Sequence, residues 1–298
     1  MNDTFLNIIQ WKKIIYFIFI LFLFKYSFLY GYGFETTLSF FDLGLLSISS
    51  AFLLASGYLT SFFFRNKQKK TRLPLNKIKK VSILLMIFGI LVGLIVSLKV
   101  NKIWYGLIFI ICPIVVHLYS KNNIQKTFFS NIVTSFLKPF ALLMLWWFDF
   151  PLNLSIEQWE LFYNLQLITI GYVIISFLSN MVIEIIIDII NVNHDNINKQ
   201  NTLPVLLGRK RAKDIALMLS FIACLFVFSV AVAFLKNKFI FSTIMLLGIL
   251  PELYFIYKLM LASESKDYNN LLKISYISFF LALLSVPTIS YYIKYVIN

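Results

Sequence analysis

The segment EIIIDIINVNHDNINKQNTLPVLLG, residues 184–208, combines an apolar run with carboxylates and ends directly before a Lys/Arg cluster. Five polar residues in and just before this segment are spaced by three or four positions: Asn180, Glu184, Asp188, Asn191 and Asp195. That spacing places their side chains on one stripe of a single α-helix. What the acids can do there depends on the solvent around the helix.

The composition identifies that solvent as a lipid bilayer. Of 298 residues, 60% are hydrophobic and 13% are charged, and the mean hydropathy is +0.83. A helical span needs about 20 mostly apolar residues, and the sequence predicts nine spans in one domain, residues 1–298. The spans begin near Ile14, Leu38, Val81, Ile103, Phe129, Tyr163, Ile215, Phe239 and Leu271. Because the apolar runs do not alternate, they disfavour a β-barrel and predict an all-α, polytopic fold.

The 27 Lys and Arg residues predict the orientation, because cationic loops stay on the cytoplasmic side. The densest run has eight cations and no acid between Arg65 and Lys80, and a second run follows Leu207. Nine alternating spans place both runs on the same face as the N-terminus. We therefore predict a multi-pass protein of a bacterial cytoplasmic membrane with a cytoplasmic N-terminus. The net charge of +14 then reflects topology and attraction to anionic headgroups, and no nucleic-acid partner is predicted.

Ionised carboxylates inside a membrane cost on the order of a few kcal/mol each, so they face a bundle interior or an aqueous cavity. Carboxylates at helical spacing suit hard cations, and magnesium held by one or two of them commonly binds the phosphates of a substrate. We predict a magnesium diphosphate site with Glu184, Asp188 and Asp195 as metal ligands and with Asn180 and Asn191 beside them. The alternative is a helix end that emerges into the cytosol with ordinary solvated acids.

The stretch from Asp188 to Gly208 resembles the second aspartate-rich motif of the UbiA superfamily of intramembrane prenyltransferases. In that family D-x-x-D-x-x-x-D is followed by T-L-P and by a glycine before a basic helix start. Six residues are in register with this pattern: Asp188, Asp195, Thr202, Leu203, Pro204 and Gly208. Asn191 replaces the middle aspartate. The resemblance implies a bundle around a central cavity, in which magnesium bridges a prenyl diphosphate and the aspartates.

The first aspartate-rich motif of the family, N-D-x-x-D-x-x-x-D, corresponds here to GYLTSFFFRNKQKKTRLP, residues 57–74. Ser61, Phe62, Arg65 and Lys69 stand where the asparagine and the three aspartates are expected. Two of the expected metal ligands have thus become cations, and a cation cannot ligate magnesium.

Arg65 and Lys69 are spaced by four residues and share a helical face with Ser61, which is a further candidate for substrate binding. If the family fold holds, this face is turned toward the acidic stripe. The two cations then either grip the diphosphate directly, replacing one magnesium ion, or pair with the acids and fill an inactive metal site. A third interpretation makes them ordinary members of the basic cytoplasmic loop.

Three more residues belong to the predicted site. Lys126 is a candidate, with Arg65 and Lys69, for stabilising the charge that develops on the leaving diphosphate. Asn131 stands where the family often has an asparagine and is predicted to line the cavity wall. Lys25 lies about mid-span and needs a partner or a route to the interface, so it is a candidate substrate ligand facing the cavity.

The resemblance implies an enzyme, a prenyltransferase that moves an isoprenyl group from a prenyl diphosphate to a hydrophobic acceptor. The form of the second motif favours a glycerol phosphate lipid or a quinone precursor as the acceptor. The altered first motif favours an alternative, an inactive relative that acts as a membrane binding or assembly partner. Transport is a third class, and the absence of an inverted repeat in the sequence argues against it.

The predicted topology places residues 65–80 and 191–213 on the cytoplasmic face. Single cysteines introduced at Asn76 and Asn198 are therefore expected to react with an impermeant thiol reagent only when the inner side of the membrane is exposed. Labelling of the two positions from opposite sides would contradict the nine-span topology.

Overall fold

The computed structural model describes residues 5–66, 74–121, 127, 129–197 and 200–297, and within these ranges the structure is almost entirely helical. The helices are α1 (Phe5–Ile9), α2 (Trp11–Phe24), α3 (Phe40–Asn66), α4 (Leu75–Lys99), α5 (Gly106–Lys121), α6 (Phe129–Phe148), α7 (Ile156–Ile197), α8 (Leu203–Leu207), α9 (Arg209–Ala233), α10 (Lys238–Ile244), α11 (Leu250–Leu261) and α12 (Ser265–Tyr292). Three π-helical turns extend or join them: Lys25–Leu29, Met245–Ile249 and Ile293–Ile297.

The helices occur where the apolar runs predict spans. Among the described residues, seven stretches are long and apolar enough to cross a membrane: Phe40–Phe64, Leu75–Lys99, Ile103–Lys121, Ile156–Ile197, Arg209–Ala233, Lys238–Leu261 and Ser265–Val296. Two further helices, α2 with its π-helical turn and α6, coincide with the first and fifth predicted spans. The all-α multi-pass fold is confirmed, whereas the count of nine spans stays a prediction.

The chain forms two compact units. The N-terminal unit contains Met1–Lys25, Phe34–Gln125 and Met144–Leu154, and the C-terminal unit contains Tyr26–Gly33, Lys126–Leu143 and Ser155–Asn298. The prediction of a single domain over residues 1–298 is not tested by this division, because units defined by contacts need not fold separately.

In the N-terminal unit, glycines of α4 allow α3 and α5 to pack closely against it. A Cβ atom added at Gly93 would collide with the ring of Phe109, and one added at Gly89 would lie 2.8 Å from Leu53. The Ser49 hydroxyl donates a hydrogen bond of 2.7 Å to the carbonyl of Gly89 across the same interface. Small residues are favoured at helix interfaces in membranes because they let the backbones approach.

A buried ion pair joins α2 to the loop after α6 in the same unit. The ammonium of Lys25 lies 2.6 Å from Asp149 Oδ2 and 2.5 Å from the carbonyl oxygen of Leu38, while the Leu38 N–H donates to Asp149 Oδ1 at 2.7 Å. The Lys25 and Asp149 side chains are 3% and 0% exposed.

We expect Lys25→Met to destabilise the protein by about 3–5 kcal/mol, because the Asp149 carboxylate is left buried without its cation. The double variant Lys25→Met/Asp149→Leu should recover most of this loss. The measurement is the free energy of unfolding of the purified protein in mixed micelles.

Lys99→Met is the matched control, because Lys99 forms a 3.4 Å pair with Asp42 in which the lysine side chain is 48% exposed. Exposed pairs contribute roughly 0–1 kcal/mol, so this variant should resemble wild type. Equal losses from the Lys25 and Lys99 variants would show that the buried pair has no special structural role.

In the C-terminal unit, α7 packs through an isoleucine face. Ile185, Ile186 and Ile189 belong to one buried cluster that also contains Ala212 and Ala216 of α9. At about 100° per residue, this face lies roughly 150° around α7 from the acidic stripe. Packing against α9 therefore turns the acids away from the isoleucine core.

The length of α7 determines how deep its acids lie. Its 42 residues span about 63 Å at a rise of 1.5 Å per residue, roughly twice the thickness of the hydrocarbon layer. The helix therefore extends beyond the hydrocarbon, and the stripe occupies its C-terminal part. A polar headgroup can reach acids in this position without crossing the bilayer core.

Candidate functional site

The acidic stripe lies on one uninterrupted helix, as its spacing predicts. All five residues, Asn180, Glu184, Asp188, Asn191 and Asp195, belong to α7. The exposed fraction is 3% for Asn180 and 4% for Asp195, whereas Glu184 and Asp188 are half-buried and Asn191 is exposed. The ends of the stripe are thus enclosed by protein, and the middle carboxylates are partly accessible.

The described contact of Asp188 comes from α6. The Asn131 amide Nδ2 donates a hydrogen bond of 2.7 Å to Asp188 Oδ2, and Asn131 itself is 3% exposed. A hydrogen bond from a buried partner fixes the orientation of a carboxylate and keeps it available as a ligand. The sequence predicts Asn131 only as a wall residue, and the structure brings it into direct contact with Asp188.

The turn after α7 encloses Asp195. The backbone N–H of Gln200 donates to the carbonyl of Asp195 at 2.9 Å, and the Thr202 hydroxyl lies 3.5 Å from Asp195 Oδ2. The imidazole Nδ1 of His194 lies 3.6 Å from the other carboxylate oxygen. These contacts hold the carboxylate inside the turn, so Asp195 is not an ordinary solvated acid at a frayed helix end.

The T-L-P and glycine pattern has a structural explanation in this turn. Thr202 is the N-cap of the short helix α8, in which Pro204 occupies one of the first two positions and needs no N–H partner. Gly208 separates α8 from α9 with φ of 87°, a left-handed conformation that glycine adopts without strain. The motif therefore reverses the chain beside Asp195 and begins the basic helix α9.

Arg209 is a residue at the start of α9 that the sequence did not single out. Its guanidinium donates a hydrogen bond of 3.0 Å to Asn193 Oδ1, so the first residue of α9 is joined to the last turns of α7. In the sequence Arg209 belongs to the basic cluster directly after Gly208, and that cluster by itself indicates only the topology.

The three remaining stripe residues are Asn180, Glu184 and Asn191. The Asn180 amide donates to the Ser176 carbonyl at 2.6 Å, one turn earlier in α7. This bond does not involve Asp188, so the roles of Asn180, Glu184 and Asn191 in substrate binding stay predictions.

The carboxylates do not form one three-ligand metal cage. No group of three or more His, Cys, Asp or Glu residues within the described ranges could hold an ion. From Glu184 to Asp195 the helix rises about 16 Å, too far for one ion to contact both. The assignment of Glu184, Asp188 and Asp195 as metal ligands therefore stays a prediction, in which the three acids would not all contact the same ion. Their oxygens instead fit magnesium bound to one carboxylate, with water and substrate phosphates completing its shell.

The structure also corrects the prediction that Lys25 binds substrate. Its ammonium is occupied by Asp149 and by the Leu38 carbonyl in a nearly solvent-free site, so it acts as a structural cation and does not bind substrate. The mid-span position predicted the need for a partner but not which partner satisfies it.

Ser61 lies on α3 and shares a hydrogen bond of 2.9 Å with the Ser120 hydroxyl of α5. The position where the family has an asparagine is thus engaged by a neighbouring helix. Lys69 and Lys126, and the side chain of Arg65, lie outside the described residues, and their roles stay predictions.

Comparison with known proteins supports the resemblance. No protein-family model matches the chain. Digeranylgeranylglyceryl phosphate synthase of Methanosphaera stadtmanae is 24% identical over 205 residues, which are 68% of this chain and 66% of that protein. The matched region therefore spans slightly less than two thirds of the relative. A solved structure of digeranylgeranylglyceryl phosphate synthase matches with a TM-score of 0.69 and 18% identity, covering 97% of this chain and 98% of that one.

At these identities the similarity shows a shared fold, and it supports the resemblance inferred from the second motif. The chain shares this fold with digeranylgeranylglyceryl phosphate synthase almost from end to end. The divergence of the first motif stays an observation on the sequence.

The contact between Asn131 and Asp188 can be tested by exchanging the two side chains. Asn131→Asp places a second carboxylate against Asp188 and should destabilise the protein by about 2 kcal/mol. In the double variant Asn131→Asp/Asp188→Asn the amide and the carboxylate have changed places, so the hydrogen bond and most of the stability should return. The measurement is the free energy of unfolding at constant pH.

Asn191→Asp is the matched control, because it adds the same charge to an exposed position of the same stripe. It should change the stability by less than about 0.5 kcal/mol. If the double variant were no more stable than Asn131→Asp alone, the contact would not be the reason for the loss.

Proposed function

We propose that the chain is a membrane-embedded prenyltransferase that moves an isoprenyl group from a prenyl diphosphate to a glycerol phosphate lipid. The observation that carries the proposal is the Asp188 carboxylate, half-buried on α7 and oriented by Asn131 at 2.7 Å. A carboxylate in a membrane helix that is fixed by a buried amide, and whose helix packs through its opposite face, has the properties of a ligand.

The acceptor class rests on the relatives. By its name, the sequence relative makes digeranylgeranylglyceryl phosphate, and the structural neighbour carries the same name. A glycerol phosphate lipid is therefore favoured over a quinone precursor. The anionic head of such an acceptor, like the diphosphate of the donor, would bind at the membrane surface, in reach of the C-terminal part of α7.

The reaction requires ionisation of an allylic diphosphate. The bond between the allylic carbon and the diphosphate oxygen breaks, and the diphosphate leaves with the electron pair. The acceptor hydroxyl oxygen then bonds to the allylic carbon and loses its proton. The protein must stabilise the charge that develops on the leaving oxygen and must exclude water from the allylic cation.

Asp188 and Asp195 are the residues that would hold magnesium. The chemistry that bound magnesium supplies is neutralisation of the charge on the diphosphate. Asn131 keeps the Asp188 carboxylate in one orientation, and the turn around Thr202 does the same for Asp195. Both acids would then hold the cation beside the diphosphate without reorganising, which is what makes electrostatic stabilisation effective.

Arg65, Lys69 and Lys126 are proposed to contact the diphosphate directly. Arginine binds phosphate as a two-pronged donor and lysine as a point charge. Because Arg65 and Lys69 occupy positions where the family has acids, fewer metal ions are needed to balance the charge of the substrate. The two side-chain cations would supply positive charge that a second magnesium ion supplies in the family.

A second candidate function is that of an inactive relative with a binding or assembly role. The altered stretch Gly57–Pro74 favours it, because no carboxylate remains there to ligate a metal. In that case Arg65 and Lys69 would pair with the acids in a filled metal site, and no diphosphate would bind.

The assay uses the full chain in lipid nanodiscs, with magnesium, a panel of prenyl diphosphates and a glycerol phosphate lipid acceptor. Wild type should release diphosphate and form a prenylated lipid. Asp188→Asn and Asp195→Asn should each lower the rate at least about 100-fold, because a charge-stabilising ligand is lost. Arg65→Asp should reduce it similarly, since a favourable contact becomes a repulsive one.

Asp214→Asn is the matched control, because Asp214 is an exposed acid near the start of α9, outside the stripe, and its rate should equal that of wild type. A folded wild-type protein that neither binds nor converts any diphosphate would refute the proposed activity and establish the inactive alternative. Restoration of magnesium-dependent diphosphate binding by Arg65→Asp/Lys69→Asp would further identify a filled metal site.

A further inference from the structure

A cleft lies in the N-terminal unit between the C-terminal part of α3, the N-terminal part of α4 and the C-terminal part of α5. Its accessible volume is about 50 Å³, and its mouth is open. Seven residues line it: Thr60, Phe63, Phe64, Lys79, Ser82, Ile83 and His117. None of them belongs to the acidic stripe or to the proposed prenyl transfer site, so the cleft has no role in the function proposed above.

The interior of the cleft has few hydrogen-bond donors to offer. The Ser82 hydroxyl donates to the Ser56 carbonyl at 3.0 Å, and the hydroxyls of Thr60 and Ser82 lie 2.6 Å apart. Because the Ser82 hydroxyl proton is used in the bond to Ser56, the Thr60 hydroxyl donates to Ser82. Neither hydroxyl then has a proton left for a ligand. The remaining lining is aromatic and aliphatic, so the interior suits an apolar group and not an anion.

The rim of the cleft is cationic. The Lys79 ammonium lies 5.9 Å from the centroid of the Phe63 ring, and Lys79 forms no ion pair with an acid in the described part of the chain. The preceding residues 65–78 contain no Asp or Glu either. His117 is held edge-to-face against Phe64, with ring centroids 5.4 Å apart, and its imidazole can supply an N–H donor.

An apolar interior beneath a cationic rim matches an amphiphile with an anionic head. We propose that this cleft binds one anionic phospholipid of the surrounding membrane, with the acyl chain against Phe63, Phe64 and Ile83 and the headgroup phosphate at Lys79 and His117. The basic loop attracts such lipids to the surface in general, and the cleft selects one molecule and holds it between three helices.

The test measures retention of lipid by the full chain, extracted in mild detergent with phosphatidylglycerol or phosphatidylcholine and observed by native mass spectrometry. Wild type should retain one phosphatidylglycerol in preference to phosphatidylcholine. Lys79→Gln should lower this retention roughly fivefold. Lys77→Gln, which removes the same charge two residues earlier and outside the cleft, should leave it unchanged.

A second pair of variants tests the apolar interior. Ile83→Trp fills the cleft without altering its charge and should reduce retention as strongly as Lys79→Gln. Ile87→Trp, one turn further along α4 at an exposed position outside the lining, is its control. These variants are read on lipid retention alone, so the result does not depend on prenyl transfer.

Three outcomes would overturn the proposal. Equal losses in the Lys77 and Lys79 variants would reduce the effect to general attraction by the basic loop. Full displacement of phosphatidylglycerol by excess inorganic phosphate would identify a site for free anions. Unchanged retention in Ile83→Trp would show that no acyl chain enters the cleft.

Discussion

In a membrane-spanning chain, a charged or polar group has no water to bind and must find its partner within the protein. The buried pair of Lys25 and Asp149 meets this requirement, and so does the amide of Asn131 against Asp188. Serine hydroxyls meet it locally, as Ser220 does by donating to the carbonyl four residues earlier. The requirement determines which helix faces pack together, because a helix with a polar stripe must turn that stripe toward a partner or a cavity. On α7 the isoleucines take the packed face, and the acids lie on the other side of the helix.

The sequence predicts what depends on local spacing. Residues three and four apart share a helix face whatever surrounds them, so the continuity of α7 through Asp195 followed from the positions of its acids. The turn from Thr202 to Gly208 was likewise readable, because proline and glycine restrict the backbone at their own positions. The partners of the buried charges could not be predicted from the sequence. Asn131 is 57 residues from Asp188, and Asp149 is 124 residues from Lys25. A mid-span lysine indicates that a partner is needed. It does not indicate whether that partner is an acid of the chain or a substrate.

The exchange of acids for cations in the stretch Gly57–Pro74 alters the charge balance of the proposed reaction. A diphosphate needs positive charge around it, which the metal-binding motifs of the family provide through bound ions. A side-chain cation supplies that charge permanently, without the reversible binding of an ion. It also removes a ligand, so the second motif must hold any magnesium with fewer protein oxygens. The separation of about 10 Å between Asp188 and Asp195 along α7 agrees with this, since a magnesium ion would be bound by one of the two acids without the other as a co-ligand.

The described lysines differ in which groups bind their ammonium, and the difference depends on where each lysine lies in the protein. Lys25 is buried and has a carboxylate and a carbonyl as fixed partners, so its binding capacity is used by the fold. Lys213 lies near the membrane surface and binds two carbonyls, those of Met260 and Ala262 at the end of α11, which fixes the helix that follows Gly208. Lys79 is exposed above an aromatic ring and is paired with no acid in the described ranges. A cation whose partners are not supplied by the chain remains able to exchange one anion for another. In a membrane protein the nearest abundant anions are lipid headgroups, and an apolar cleft beneath such a cation adds selectivity for a molecule that also carries an acyl chain.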